Sequence, residues 1–94
     1  MNEPLSPDAA TALIRSILHK GQIAFSRHAI EELLKDHLTT VDCVNVMRAG
    51  RVKLPADLTK QTWRYRVETP RIAVIVAFRS EEELVVVTAW RAKR

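Results

Sequence analysis

The hydrophobic period of this chain changes once, at Gly50, and that change dictates what it can fold into. Before Gly50 the apolar residues recur at helical spacing; after it they alternate with a period of two. Thr62 to Glu68, Arg71 to Arg79 and Glu83 to Arg91 read as three strands rich in Val, Ile, Trp, Tyr and Phe. The links between them, Thr69-Pro70 and Ser80-Glu81-Glu82, are short, which suits antiparallel hairpins and leaves no room for a parallel crossover. Arg51 to Leu54 is a further strand candidate, and Pro55 to Gln61 reads as a polar loop.

The first half carries its own punctuation. Ser6-Pro7-Asp8 places a capping hydroxyl, a proline at the first helical position and an acid in the first turn. Leu13, Ile14, Ile17 and Leu18 then follow at helical spacing, and Lys20-Gly21 supplies a stop. Gln22 to Phe25 is a short strand candidate. Ser26 can cap a second helix to about Asp36, with Ala29, Ile30, Leu33 and Leu34 on its apolar face. Thr39 and Asp42 have capping-box spacing for a third helix, which carries Val41, Val44 and Met47 on one face and closes at Gly50. The fold class expected is α+β: two to three N-terminal helices packed on one face of a mainly antiparallel sheet of about four strands. Ninety-four residues suffice for one such domain with one modest core.

Composition excludes several classes. An apolar fraction of 47% beside 28% charged residues belongs to a globular chain, not a disordered one. The first residues, Met1-Asn2-Glu3-Pro4, hold no basic region leading into an apolar run, which argues against a secretory signal. Ile72–Phe78 and Leu84–Trp90 are too short to cross a bilayer. Cys43 is the only cysteine, so no intrachain disulfide can form, and the expected location is the cytoplasm. Its setting between Val41-Asp42 and Val44 reads as helix packing. Residues 1–50 hold five Lys/Arg against six Asp/Glu, whereas residues 51–94 hold ten against five, so the basic character belongs to the C-terminal half. That asymmetry is compatible with a polyanionic partner and equally with plain solubility.

Period two sorts the strand residues by face. Pairing Glu68 with Arg71, and Arg79 with Glu83, puts the bulky sets together under the helices: Trp63, Tyr65 and Val67, then Ile72, Val74, Val76 and Phe78, then Leu84, Val86, Thr88 and Trp90. The opposite face then gathers Arg64, Arg66, Arg71 and Arg91 around a floor of Ala73, Ile75, Ala77, Val87 and Ala89. A slip of one residue would move a whole set across. Two readings of these arginines stand side by side. One is a solvated face with cross-strand pairs to Glu68 and Glu83; the other is a phosphate site, since the planar guanidinium fork suits phosphate and small neighbours leave space for it.

Three histidines complete the set. His19 and His37 fall near helix C-termini, where a histidine is commonly solvated. His28 falls at the start of the second helix, where the helix dipole disfavours imidazolium and keeps a neutral base available. Neither His nor Cys shows paired ligand spacing, so no metal or other cofactor is expected.

Phe25-Ser26-Arg27-His28-Ala29, the helix after it, Leu38-Thr39-Thr40-Val41-Asp42 leading a further helix to Gly50, Trp63-Arg64-Tyr65-Arg66-Val67, and the ending Thr88-Ala89-Trp90-Arg91 together resemble domain-of-unknown-function family 4258 of bacteria, over about residues 22–91. That family is similar to the RelE/barnase-like toxins and to the BrnT group, which cleave RNA from a concave sheet face. Members often carry arginines along the helix that follows the histidine; this chain has Glu32, Asp36 and His37 there. The resemblance implies an endoribonuclease toxin in which a ribose 2′-OH attacks the adjacent phosphorus. His28 would be its acid or base, and Arg64, Arg66 and Arg91 would stabilise charge on phosphate. Arg27, Arg71 and Arg79 would be further RNA contacts, and a small acidic antitoxin the neutralising partner. Tyr65 and Trp90 match family positions, but the register above points both to the core. The rival class is a non-catalytic protein-binding or regulatory module of the same fold, using a strand edge or the basic face. A third reading is a plain RNA-binding domain.

Overall fold

Each helix begins where a side chain is available to take a free backbone N–H. In the computed structural model, which describes residues 1–92, Ser6 Oγ accepts from Ala9 N at 3.2 Å to open α1 (Pro7–Lys20). After β1 (Gln22–Phe25), Ser26 Oγ accepts from Ala29 N at 3.0 Å to open α2 (Arg27–Lys35). Thr39 and Asp42 cap α3 (Thr40–Ala49) reciprocally, with Thr39 N donating to Asp42 Oδ2 at 2.8 Å and Asp42 N to Thr39 Oγ1 at 3.2 Å. Gly21 and Gly50 end α1 and α3 by close approach. A Cβ on Gly21 would lie 2.3 Å from the Glu82 carbonyl oxygen, and one on Gly50 would lie 2.5 Å from that of Glu68. The two stops therefore also press the helix layer onto strand ends.

Five further strands follow: β2 (Arg51–Val52), β3 (Asp57–Thr59), β4 (Thr62–Glu68), β5 (Ile72–Ser80) and β6 (Glu83–Arg91). The sheet runs in the order β1-β6-β5-β4-β2, with β3 also on β4, and every pairing is antiparallel except β1 with β6. Among the described residues there are thus six strands where about four were expected. β3 comes from the stretch read as a polar loop. Its hairpin turn, Lys60-Gln61, holds both residues at positive φ (51° and 64°), as a two-residue turn requires, but without the Asn-Gly signature that would announce it.

All three helices lay their apolar stripes on one face of the sheet. Ala10, Ile14 and Ile17 of α1, Ala29 and Leu33 of α2, and Cys43, Val46 and Met47 of α3 meet Tyr65, Val67, Val74, Val76, Phe78, Leu84 and Val86 in one core. Only a narrow stripe of the short α2 reaches β6. Ile30 and Leu34, one position round from Ala29 and Leu33, stay 40% and 71% exposed, and Val41 is exposed as well, so the expected apolar faces of α2 and α3 are wider than the real ones. Burial pushes the Cys43 thiol up to about 11, with the Asp42 charge adding, so Cys43 is protonated at neutral pH.

The register on the β4 side differs from expectation without moving any side chain across. Glu68 pairs with Ala73, two residues on from Arg71, and a shift of two preserves the face. The link is a turn in which Thr69 N donates to the Ile72 carbonyl at 3.0 Å and Thr69 Oγ1 accepts from Arg71 N and Ile72 N. Tyr65 is fully buried as expected, its ring centroid 5.0 Å from that of Phe78. Its hydroxyl ties down the N-terminal segment, donating to Glu3 Oε2 at 2.8 Å and accepting from Leu5 N at 3.0 Å. Tyr65→Phe is expected to lower stability by about 1–2 kcal/mol, since it leaves a backbone N–H without its acceptor. In thermal denaturation that is a fall in Tm of roughly 4–16 °C for a domain of this size.

Candidate functional site

On β6 the pairing with β5 slips by one residue. Val76 faces Val86, but Ile75 faces Thr88, which leaves Val87 as the extra residue of a β-bulge. Ser26 occupies the bulge: its hydroxyl donates to the Val87 carbonyl at 3.0 Å, while its own N–H donates to the Val86 carbonyl at 3.0 Å. Every β6 side chain beyond Val87 therefore stands on the face opposite to the one expected. Ala89 goes into the core, 1% exposed, and Thr88 and Trp90 turn out to the helix-free face. The expectation that Trp90 and Thr88 pack under the helices is corrected by this one extra residue.

The helix-free face now holds a cleft of about 340 Å³. Its floor is Arg64 and Arg66 of β4, Ile75 of β5, and Thr88 and Trp90 of β6. Its wall is Leu54, Pro55, Asp57 and Thr59. The wall rises because residues 53–56 stand opposite only residues 65 and 66 between the β2–β4 and β3–β4 pairings, and Pro55 has no N–H to give to a ladder. Asp57 and Arg64 are direct cross-strand partners. The Arg66 guanidinium carbon lies 5.3 Å from the centre of the Trp90 ring, within cation–π range. Glu68 Oε2 is 3.4 Å from Arg66 Nε, an ion pair without the alignment of a hydrogen bond. Among the described residues, the buried Nε atoms of both Arg64 and Arg66 have no hydrogen-bond partner. Two buried donors without partners beneath one cleft are an uncommon arrangement, since such groups are usually paired.

The remaining candidates lie elsewhere. Arg91, expected on the arginine face, is turned by the bulge toward the end of α2. There its Nε donates to the Asp36 carbonyl at 2.9 Å, a terminal nitrogen to the His37 carbonyl at 3.2 Å, and its backbone N–H to Asp36 Oδ2 at 2.9 Å. It caps a helix whose following residue, His37, sits at φ 54°. Arg71 is exposed beside Arg91 at the end of the sheet, outside the cleft. Arg79 is exposed and pairs with Glu83 at 3.0 Å. Arg27 and His28 are exposed on the first turn of α2, which buries Ala29 and Leu33 on the other side of the sheet, and neither lines the cleft. Of the seven residues singled out in the sequence, only Arg64 and Arg66 line the cleft.

Asp57, Thr88 and Trp90 were missed as site residues. Asp57 lay in the supposed loop, and the other two changed face at a bulge that alternation cannot announce. A second depression of about 330 Å³ lies between α1 and α3, lined by Arg15, Leu18, His19 and Arg48. His19 and Arg48 stand in the last turns of α1 and α3, as basic residues commonly do, and Arg15 donates to the Gly50 carbonyl at 3.2 Å. Among the described residues no group of three or more His, Cys, Asp or Glu is placed to hold a metal ion, and no helix is long and apolar enough to cross a membrane. No family model, curated protein or solved structure matches the chain.

Removing the Arg91 side chain deletes two hydrogen bonds to the end of α2 and touches nothing in the cleft. Arg91→Ala is expected to cost about 1–2 kcal/mol in chemical denaturation, as the loss of two partly solvated hydrogen bonds should. The far-ultraviolet circular dichroism of the folded state is expected to be unchanged.

Proposed function

We propose that the cleft is an RNA site and that the protein is an endoribonuclease of the bacterial toxin kind, working from the helix-free sheet face. The observation that carries this reading is the pair of arginines, Arg64 and Arg66, on the floor of one cleft, with the Arg66 guanidinium beside the Trp90 indole. Guanidinium forks suit phosphate oxygens, an aromatic with a cation on it suits a base, and both face outward from a strand region whose balance is basic. The resemblance to the family numbered 4258 supports the same reading.

In the reaction proposed, a ribose 2′-oxygen forms a bond to the adjacent phosphorus as the bond from phosphorus to the 5′-oxygen breaks. The 2′-hydroxyl proton passes to a carboxylate, the leaving 5′-oxygen takes a proton from solvent, and the products are a 2′,3′-cyclic phosphate and a 5′-hydroxyl. Arg64 and Arg66 offset the charge that builds on the phosphoryl oxygens. Asp57, the carboxylate that lines the cleft, is the proton acceptor in place of His28. An acidic protein that covers the arginines would silence such a site in the cytoplasm. The non-catalytic reading is favoured by one observation: among the described residues lining the cleft there is no histidine.

Purified protein added to a bacterial translation extract, followed by mapping of message ends, separates these readings. New 5′-hydroxyl ends are expected, reduced by about 100-fold in Arg64→Ala, as for loss of one charge-stabilising donor. His28→Ala is expected to cut as the wild type does. Intact message together with RNA binding would favour the non-catalytic module, and loss of cutting in His28→Ala alone would return the chemistry to α2.

A further inference from the structure

We infer that the Arg66 guanidinium, backed by the Trp90 indole, is a platform on which one unpaired RNA base stacks, while Arg64 holds the adjoining phosphate. This rests on the cleft being an RNA site, and it specifies the form of RNA taken. The platform is built from three layers of position. Trp90 stands across Ala73 from Glu68, and the small Ala73 side chain lets the indole lie close to the sheet. Arg66 lies over the ring at 5.3 Å, and the Glu68 carboxylate at 3.4 Å from its Nε holds the guanidinium from the side. The Arg66 side chain nevertheless remains 38% exposed although its Nε is buried, so part of it is open to the cleft. A planar cation seated by an indole and partly open to a cleft offers a stacking surface, and bases stack on arginine planes as they do on aromatics.

The cleft also limits what can reach that surface. The Leu54-Pro55 wall rises on the far side of the floor, and the space between is about 340 Å³, on the scale of one nucleotide. In a duplex the base faces are covered by their neighbours, so an A-form helix could offer Arg66 only edges and phosphates. An unpaired strand has faces to offer. Arg64, which lines the cleft with its strand neighbour Asp57 on the wall side, is placed for the phosphate of the same nucleotide. The site thus selects single strands by stacking and not by base-edge contacts, which makes it tolerant of sequence.

The test is a binding titration with labelled 2′-O-methyl hexanucleotides, which cannot be cut through their own 2′-hydroxyl. Three forms are compared: the single strand, the same strand with abasic positions, and a blunt duplex. Wild-type protein is expected to bind the single strand about tenfold or more tightly than either of the others, as the loss of a base stack predicts. Arg66→Lys keeps the charge and removes the plane. It is expected to bring the single strand down to the abasic level while leaving the dependence of log K on log salt unchanged. Trp90→Leu is expected to do the same. Arg64→Ala is expected to weaken single and abasic strands alike and to reduce the salt slope by about 0.7, one phosphate contact. Equal binding of all three forms by the wild type, or a stacking preference retained in Arg66→Lys, overturns the platform and leaves the RNA site standing. No binding of any form overturns both.

Discussion

The hydroxyl of Ser26 holds the feature on which the rest of the site depends. It accepts from Ala29 N to start α2 and donates to the carbonyl of Val87, the extra residue of the β6 bulge. A bulge leaves backbone groups out of the ladder, and a buried carbonyl without a donor is costly. Ser26 supplies that donor from the end of β1, the strand that lies parallel to β6. With the bulge secured, Ala89 enters the core, Trp90 emerges beneath Arg66, and Arg91 swings to the end of α2. Take the bulge away and the same sequence would bury the indole and bring Arg91 round to the arginine face.

This gives the Ser26-Arg27-His28-Ala29 element a structural content. Ser26 is both cap and bulge clasp, and Ala29, fully buried, lets α2 approach β6 closely. Arg27 and His28 are exposed on the first turn of that helix. The acids that stand where members of the resembled family often carry arginines are likewise engaged. Glu32 pairs with Lys35 at 2.9 Å, and Asp36 accepts from the Arg91 backbone. Charge on α2 therefore serves its own ends and its junction with β6, and the basic site is left to the sheet.

The parts of the fold that were legible in the sequence are those set by local chemistry. Ser6, Ser26 and Thr39 announce three helix starts, Gly21 and Gly50 two stops, and alternation marks the three long strands, because each signal acts within a few residues. Arg64 and Arg66 were placed on the open face correctly, since an error of two in the β4–β5 register leaves parity intact. β3 was hidden by a Lys60-Gln61 turn that takes positive φ with ordinary residues. Trp90 and Arg91 were misplaced because the bulge depends on a hydrogen bond between positions 61 residues apart. No window of sequence contains that contact. The site was therefore half visible: its cations were, its aromatic and its carboxylate were not.

The most direct test of the claim that the helix-free face is the working surface is a nuclear magnetic resonance titration with a short single-stranded oligoribonucleotide. It would follow the arginine Nε–H, indole N–H and backbone amide signals. The largest shifts are expected at the Nε–H groups of Arg64 and Arg66 and at the Trp90 indole, with Arg27 and His28 unmoved. Shifts centred on Arg27, His28 and the first turn of α2, with Arg64, Arg66 and Trp90 unchanged, would contradict it.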